Sequence, residues 1–237
     1  LELRNADGSL ARSWVKPDAG FRGMVRFVDK DRTLYFYGDP NPPESYLWRV
    51  KEGGKPEKIS TGTPEPAYEL PAAISKQGGL IVAISQTDTT MPRFQVLRSD
   101  GTRVGELPSV AVEPPFTPNV QFFQVGKEGF HASVIRPRDM KPGVKLPVVV
   151  KVYGGPTTTV VSRGMAGNLL NQWLADQGFI VVKFDGRGTP LRTAAWERVV
   201  KYDFATTTLD DQIAALKALA EKVPEMDMNR VGIEGWS

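Results

Sequence analysis

Cysteine is absent from all 237 residues, and histidine occurs once. The first absence excludes disulfides, thiol catalysis and cysteine-ligated metal, and the second leaves little from which to build a metal site. Neither chooses a compartment. Charge of one sign is also scarce: 30 Lys and Arg stand against 27 Asp and Glu, a net +3. No basic cluster is interleaved with aromatics as a nucleic-acid face requires, so nucleic acid is not expected as a partner. No apolar run approaches the roughly 20 residues of a membrane helix, and Leu1-Glu2-Leu3-Arg4 has neither a charged n-region nor an apolar h-region. The chain opens without Met, directly on strand-like residues, and is expected to be an excerpt of something longer. What remains, 41% hydrophobic residues, is ample for one large domain or two modest ones.

The first 110 or so residues are short runs and turns. Gly20 to Val28, Thr33 to Gly38 and Tyr46 to Val50 are followed by the loop Glu52-Gly53-Gly54-Lys55-Pro56, and a second series runs through Ala72 to Ile74, Leu80 to Ile84 and Arg93 to Arg98 to the turn Ser99-Asp100-Gly101. Each run is rich in β-branched or aromatic residues and bounded by Gly, Pro, Asp or Asn, which reads as strands and hairpins. Leu3-Arg4 before Asp7-Gly8, Trp48-Arg49 before Gly53-Gly54, and Leu97-Arg98 before Asp100-Gly101 look like one late strand in successive units, the arginines 45 and 49 residues apart. A strand-only repeat of about 40 to 50 residues is the period of β-propeller blades, and roughly two would fit where a propeller has at least four. On that reading the other blades precede residue 1. The alternative is a plain antiparallel sandwich with coincidental spacing.

Around Glu113-Pro114-Pro115-Phe116-Thr117-Pro118 the composition turns proline-rich, a stiff connection that admits neither helix nor central strand. The domain boundary is placed here, giving 1–113 and 114–237. Beyond it Gln121 to Val125 and Phe130 to Ile135 form a hairpin, and then the pattern changes. Leu146 to Tyr153 is a nearly continuous apolar run, as a strand buried on both faces should be. Asn168 to Asp176 has helical spacing up to Gly178, Phe179 to Phe184 is a second buried strand, and Arg230 to Ile233 a third. Between the last two, a helix with a capping-box-like start at Thr208-Leu209-Asp210-Asp211 is expected to carry an apolar face of Leu209, Ile213, Leu216, Ala220 and Val223 up to Pro224. Strand, helix, strand, helix, strand predicts a doubly wound α/β domain, whose sites lie beyond the carboxyl ends of the strands.

Three conspicuous stretches follow those ends: Tyr153-Gly154-Gly155-Pro156, Asp185-Gly186-Arg187-Gly188-Thr189 and Gly235-Trp236-Ser237. The last supplies three of the five positions of a G-x-S-x-G nucleophile elbow, in which a serine on a sharp strand-to-helix turn exposes its Oγ above the sheet. Its alternative is a strand-terminal serine in a nucleotide-binding sheet. Tyr153-Gly154-Gly155 stands where α/β-hydrolases keep the oxyanion loop: the glycines admit close backbone approach, and the tyrosine hydroxyl is a candidate donor. The alternative is a Gly-Gly-Pro turn whose tyrosine merely packs. No phosphate-loop pattern is present. Asp185 and Arg187 are read as scaffold, tied to each other by a charge-assisted hydrogen bond beneath the elbow. His131, the single candidate base, lies in a hairpin before the α/β core, whereas these hydrolases order their triad Ser, Asp or Glu, His. It is read as packed or surface, with the base and its carboxylate expected after Ser237.

Tyr153-Gly154-Gly155-Pro156, Phe184-Asp185-Gly186-Arg187-Gly188-Thr189, Asp211-Gln212 heading a helix and Gly235-Trp236-Ser237, in that order behind blade-like repeats, resemble the prolyl oligopeptidase family of serine peptidases. The Trp before the serine is similar to the dipeptidyl peptidase IV branch. The resemblance implies the C-terminal blades of a β-propeller followed by a partial α/β-hydrolase doubly wound sheet. It implies an exopeptidase that releases N-terminal dipeptides with Pro or Ala penultimate, using no cofactor or metal. Ser237 would be the acylating nucleophile and the Tyr153 hydroxyl one oxyanion donor, the other being the backbone N–H after Ser237, while Gly154, Gly155, Asp185, Arg187, Gly235 and Trp236 shape the site. The branch's N-terminus-binding glutamate pair has no matching stretch here and is expected upstream. Tyr202 to Thr208 lacks the Gly and Glu usual before the Asp-Asp-Gln helix. The implied partner is a peptide substrate, the implied assembly of the intact protein a homodimer, and the implied location of a bacterial member the envelope or periplasm. Without base and carboxylate the chain itself is expected to be inert. The alternatives are an acylaminoacyl peptidase or oligopeptidase of the same family, a non-catalytic propeller-hydrolase binding protein, and a carboxylesterase without a propeller.

Overall fold

The computed structural model describes every residue except Gly155, Trp236 and Ser237, and Pro71 by its backbone alone. Packing divides the chain into two compact units, Leu1–Pro114 and Pro115–Ser237.

The first unit is antiparallel. β1 (Glu2–Arg4) and β2 (Leu10–Ser13) form a hairpin turned at Asp7, whose carboxylate takes the Ser9 backbone N–H (2.9 Å) and hydroxyl (2.6 Å). β3 (Phe21–Val28), β4 (Thr33–Gly38), β5 (Tyr46–Lys51) and β6 (Glu57–Lys58) make one four-stranded sheet in chain order, and β7 (Tyr68–Ile74), β8 (Leu80–Gln86), β9 (Arg93–Arg98) and β10 (Arg103–Leu107) make another. The repeat has a structural counterpart: Arg49 and Arg98 both sit on the third strand of their sheets. β4 is buried along its whole length, because its alternate residues enter different clusters. Tyr35 and Tyr37 pack with Leu47, Ile74, Ile81 and Leu97, whereas Leu34 and Phe36 pack with Val15 and Val50. Period-two alternation thus serves two cores from one strand.

The two sheets are stitched where β5 begins. Ser45 and Tyr68 form a parallel bridge, and the Glu69 carboxylate reaches back to accept the Leu47 N–H (2.6 Å) and the Thr61 hydroxyl (2.7 Å). Burial, partly opposed by those two bonds, raises the Glu69 carboxyl to about 7.

The second unit is a mixed sheet with helices on both faces. Its elements are β11 (Val120–Val125), β12 (Phe130–Ile135), β13 (Leu146–Val152), α1 (Leu169–Ala175), β14 (Ile180–Asp185), α2 (Ala194–Arg198), α3 (Phe204–Ala220) and β15 (Met226–Gly235). The strand order is β11-β12-β14-β13-β15, with β13, β14 and β15 parallel and β12 antiparallel to β14. β14 is buried throughout because each face has a helix: Val182 and Phe184 share a cluster with Ala215 and Leu219 of α3, and Val181 packs with Ala175 of α1. The chain passes from β13 to β14 on one side and then to β15 on the other. That reversal puts a switch point at β13, where ligands of open α/β sheets bind.

Two expectations about α3 are corrected. It begins at Phe204, one turn before Thr208, because Asp203 caps it by accepting the Thr206 N–H (3.1 Å), while the Thr208 hydroxyl bonds back to the Phe204 carbonyl (2.8 Å) instead of capping. The buried stripe is Asp211, Ala215 and Leu219, not Leu209 and Ile213, which are 60% and 42% exposed. Alanine at 215 admits close approach to the sheet, and Asp211 is drawn inward by a cation described below. No helix among the described residues is long and apolar enough to cross a membrane.

Candidate active site

The site is assembled from three parallel strand ends. Val152 is the register partner of Gly235, and Lys151 that of both Glu234 and Lys183, so Tyr153 leaves the sheet one residue beyond the partner of Gly235. A Cβ on Gly235 would stand 3.1 Å from a Val152 methyl, so this position takes glycine most easily where the two strands run out together. Of the residues expected here, Tyr153, Gly154, Asp185, Arg187 and Gly235 are described; Ser237, Trp236 and Gly155 lie outside the described residues.

Tyr153 is half-buried, and its hydroxyl lies 3.2 Å from the Thr157 hydroxyl, within the loop the tyrosine begins. Gly154 rests on α3, where a Cβ would meet the Thr208 Cβ at 3.3 Å. The far end of the loop is held by Asp185, 3% exposed, whose two carboxylate oxygens accept the Val160 N–H (2.7 Å) and the Val161 N–H (3.2 Å). A strand-end carboxylate thereby satisfies two loop amides that no sheet partner takes.

The expected Asp185–Arg187 tie is not formed. Arg187 pairs instead with Asp211 of α3: its Nη2 donates at 2.6 Å, its Nε at 3.0 Å to both carboxylate oxygens, and its backbone N–H at 2.6 Å. The two side chains serve different neighbours. Asp185 continues the face of β14 that bears Lys183 and turns to the Val160–Val161 amides, while Gly186 brings the chain against Asp211, where a Cβ would stand 3.0 Å from the Asp211 Cβ. The turn closes at Gly188, whose φ of +94° and close neighbour Val200, 2.8 Å from where a Cβ would be, demand glycine. Asp185 and Arg187 thus form two separate anchors, one to the Tyr153 loop and one to α3.

Sequence reasoning missed Asp211 as the partner of Arg187, though it quoted Asp211-Gln212 at the head of the helix. It also missed Lys183, a charged residue visible inside an apolar run. Lys183 is buried, donates to the Asn168 amide oxygen (2.7 Å), and lines a cavity of about 340 Å³ with Lys151, Tyr153, Asn171 and Gly235. Burial is the main reason its ammonium is lowered to about 8.

His131 lies on β12, in register with Gln124 on one side and Asp185 on the other. Burial first, and the Arg192 charge second, push its imidazole down to about 4, so near neutral pH it is uncharged. Among the described residues no group of three or more His, Asp or Glu side chains could hold a metal ion.

Residues 168–237 match the model of the prolyl oligopeptidase family. Dipeptidyl peptidase 8 of Homo sapiens is 36% identical over 136 residues, which are 55% of this chain and 15% of that protein. A probable dipeptidyl-aminopeptidase B of Emericella nidulans is 31% identical over 228 residues, 91% of this chain and 24% of the relative. The chain therefore spans a quarter or less of the curated relatives it matches. Among solved structures, dipeptidyl peptidase 4 of Porphyromonas gingivalis superposes with a TM-score of 0.81 at 22% identity, covering 99% of this chain and 34% of that one, which shows a shared fold. The family resemblance read from the sequence is borne out.

Proposed function

We propose that this chain, related to the prolyl oligopeptidase family, is part of a serine exopeptidase that removes dipeptides from the N-terminus of peptides, Pro or Ala being the residue before the cut. The two four-stranded sheets are assigned as propeller blades, and the mixed sheet as the opening half of an α/β-hydrolase domain. What supports the reading most is the register of β13 against β15, Val152 opposite Gly235. It brings the tyrosine-glycine loop to the strand end from which the G-W-S segment departs.

In this reading Ser237 Oγ attacks the carbonyl carbon of the scissile bond and gives its proton to a general base. The carbonyl oxygen becomes the oxyanion of a tetrahedral intermediate, toward which the Tyr153 hydroxyl donates. Collapse expels the amine of the shortened peptide, protonated by the same base, and leaves a dipeptidyl ester on Ser237 that water then hydrolyses. His131 is not the base: it belongs to β12, and an imidazole held near 4 is a weak proton acceptor at neutral pH. The base and its carboxylate are assigned to the rest of the whole protein, so residues 1–237 alone are expected to be inert.

The test is a fluorophosphonate probe together with a dipeptidyl chromogenic substrate. The whole protein should be labelled at Ser237 and turn over the substrate, and Ser237→Ala should abolish both. Turnover that persists in Ser237→Ala, or stoichiometric labelling of the 237-residue chain by itself, would overturn the assignment.

A further inference from the structure

We infer that Thr157 and Asp185 are positioning residues for the Tyr153 hydroxyl, Thr157 by donating its own hydroxyl proton to the tyrosine oxygen and Asp185 by fixing the loop that presents Thr157. The inference rests on the assignment of Tyr153 as an oxyanion donor and adds how that donor is aimed.

The Tyr153 hydroxyl has one proton to give. If it were spent on Thr157, none would remain for a developing oxyanion. With 3.2 Å between the two oxygens, the opposite sense, Thr157 donating, occupies a lone pair of the tyrosine oxygen. The tyrosine O–H then points away from Thr157, free to donate elsewhere. Thr157 is exposed, so its placement depends on the loop. The loop is clamped at both ends by contacts the sequence reading did not foresee: Gly154 close against Thr208 at its start, and the Val160 and Val161 amides on Asp185 at its finish. The second clamp is the stronger, because Val161 and Asp185 are 0% and 3% exposed and a buried carboxylate that loses its donors has no water to replace them. A charge-assisted anchor in the core thus sets a hydroxyl pair at the surface, which is how a donor is preorganised without being buried itself.

The experiment is a double-mutant cycle in the whole protein, on the dipeptidyl substrate, with Thr157→Val, Thr157→Ser, Asp185→Asn and Tyr153→Phe. Thr157→Val removes the donor at constant volume on an exposed loop, so folding is not at stake. It should lower kcat about tenfold and move KM less than about twofold, as removal of an interaction made in the transition state does. Thr157→Ser should restore kcat to within about twofold of the parent. In the Tyr153→Phe background neither Thr157→Val nor Asp185→Asn should cost more than about twofold further. Losses that multiply in that background, a Thr157→Val effect confined to KM, or a Thr157→Ser as slow as the valine variant would overturn the inference while leaving the serine peptidase standing. A parent that neither labels at Ser237 nor turns over overturns both. The loop clamp has its own readout in the 237-residue chain: hydrogen exchange at Val160 and Val161 should accelerate at least about tenfold in Asp185→Asn, and unchanged protection there would remove Asp185 from the argument.

Discussion

In the first unit the side chain buried at the seam between sheets is an acid: Glu69 has no cation bonded to it and is held by a backbone N–H and a threonine hydroxyl. In the second unit the buried acid of the helix, Asp211, has a bidentate arginine, and a buried base, Lys183, donates to a neutral amide. On the Glu69 side the cause is local. Where β6 pairs only with Trp48 and Arg49 of β5, the Leu47 N–H is left over and calls for an acceptor, which a carboxylate supplies. Lys183 lies in a row across the mixed sheet with Lys151 and Glu234, and its Lys151 neighbour already pairs with Glu234. Burial acts on both groups in the same sense, toward the uncharged form. Acid and base therefore respond oppositely to pH.

The sharpest way to break the contrast is to turn Asp211 into a second Glu69. Arg187→Met leaves the Asp211 carboxylate buried with one backbone donor, the N–H of residue 187, and is expected to cost about 3–5 kcal/mol, read as a lower urea midpoint. A loss below about 1 kcal/mol would place Arg187 among surface pairs of negligible weight.

Glu69→Gln tests the other side. The folded carboxyl titrates at about 7 against an ordinary 4.5, so between those values the folded chain holds more protons than the unfolded one. The stability Glu69 contributes is complete below about 4.5 and is lost as pH rises to about 7, a change on the order of 3 kcal/mol. Gln at 69 keeps an acceptor for Leu47 or Thr61 but cannot titrate. Its profile should lack the fall in stability that Glu69 causes across that window, and a slope parallel to the parent's would show that another group titrates.

Lys183→Met is expected to stabilise. The folded ammonium at about 8 against 10.5 means that the cost of charging it is present below about 8 and is relieved as pH rises to about 10.5, so the parent should gain stability over that interval. Replacing the ammonium by a thioether removes a cost on the order of 3 kcal/mol at neutral pH and leaves the Asn168 oxygen unpaired at roughly 1 kcal/mol. A net gain of roughly 2 kcal/mol at pH 7, shrinking toward pH 10.5, is the outcome to measure by urea unfolding. A loss at pH 7 would mean that the Lys183–Asn168 bond outweighs the burial.

The longer strands of both units were legible, in the first because Asp-Gly and Gly-Gly turns punctuate them and in the second because they are uninterrupted Val and Ile runs, whereas Leu10–Ser13, Glu57–Lys58 and Arg103–Leu107 were not read as strands. Even the register of the repeat showed in Arg49 and Arg98. The start of α3 was not, because Thr208-Leu209-Asp210-Asp211 has the letters of a capping box while Asp203, five residues earlier, offers the N-cap that the chain uses. Its buried face was missed for a related reason: periodicity counts Leu209 and Ile213 as apolar and Asp211 as polar, and cannot know that Arg187, 24 residues away, makes Asp211 the inward residue. Tyr153, Asp185 and Gly235 could be placed at one end of the sheet from strand order alone. Which carboxylate meets which partner could not, since Asp185 and Arg187 are only two residues apart in sequence and anchored to different elements in space.

The smallest effect is the one that sets the two units directly against each other. His131 titrates at about 4 in the folded chain against 6.5, so between those values the unfolded chain binds the extra proton. The stability His131 permits is present above about 6.5 and is lost as pH falls toward 4. Glu69 moves the other way through nearly the same interval, its contribution growing as pH falls from about 7 to 4.5. In the parent the two slopes oppose and largely offset each other between about 4.5 and 6.5. His131→Gln should therefore make the chain more resistant to acid than the parent between pH 6.5 and 4, and Glu69→Gln should make it less so. Carrying both substitutions should bring the profile close to flat. Should the His131→Gln profile superimpose on that of the parent, the charge that burial and Arg192 keep off the imidazole is being carried at no cost, and His131 has no part in the acid response of this protein.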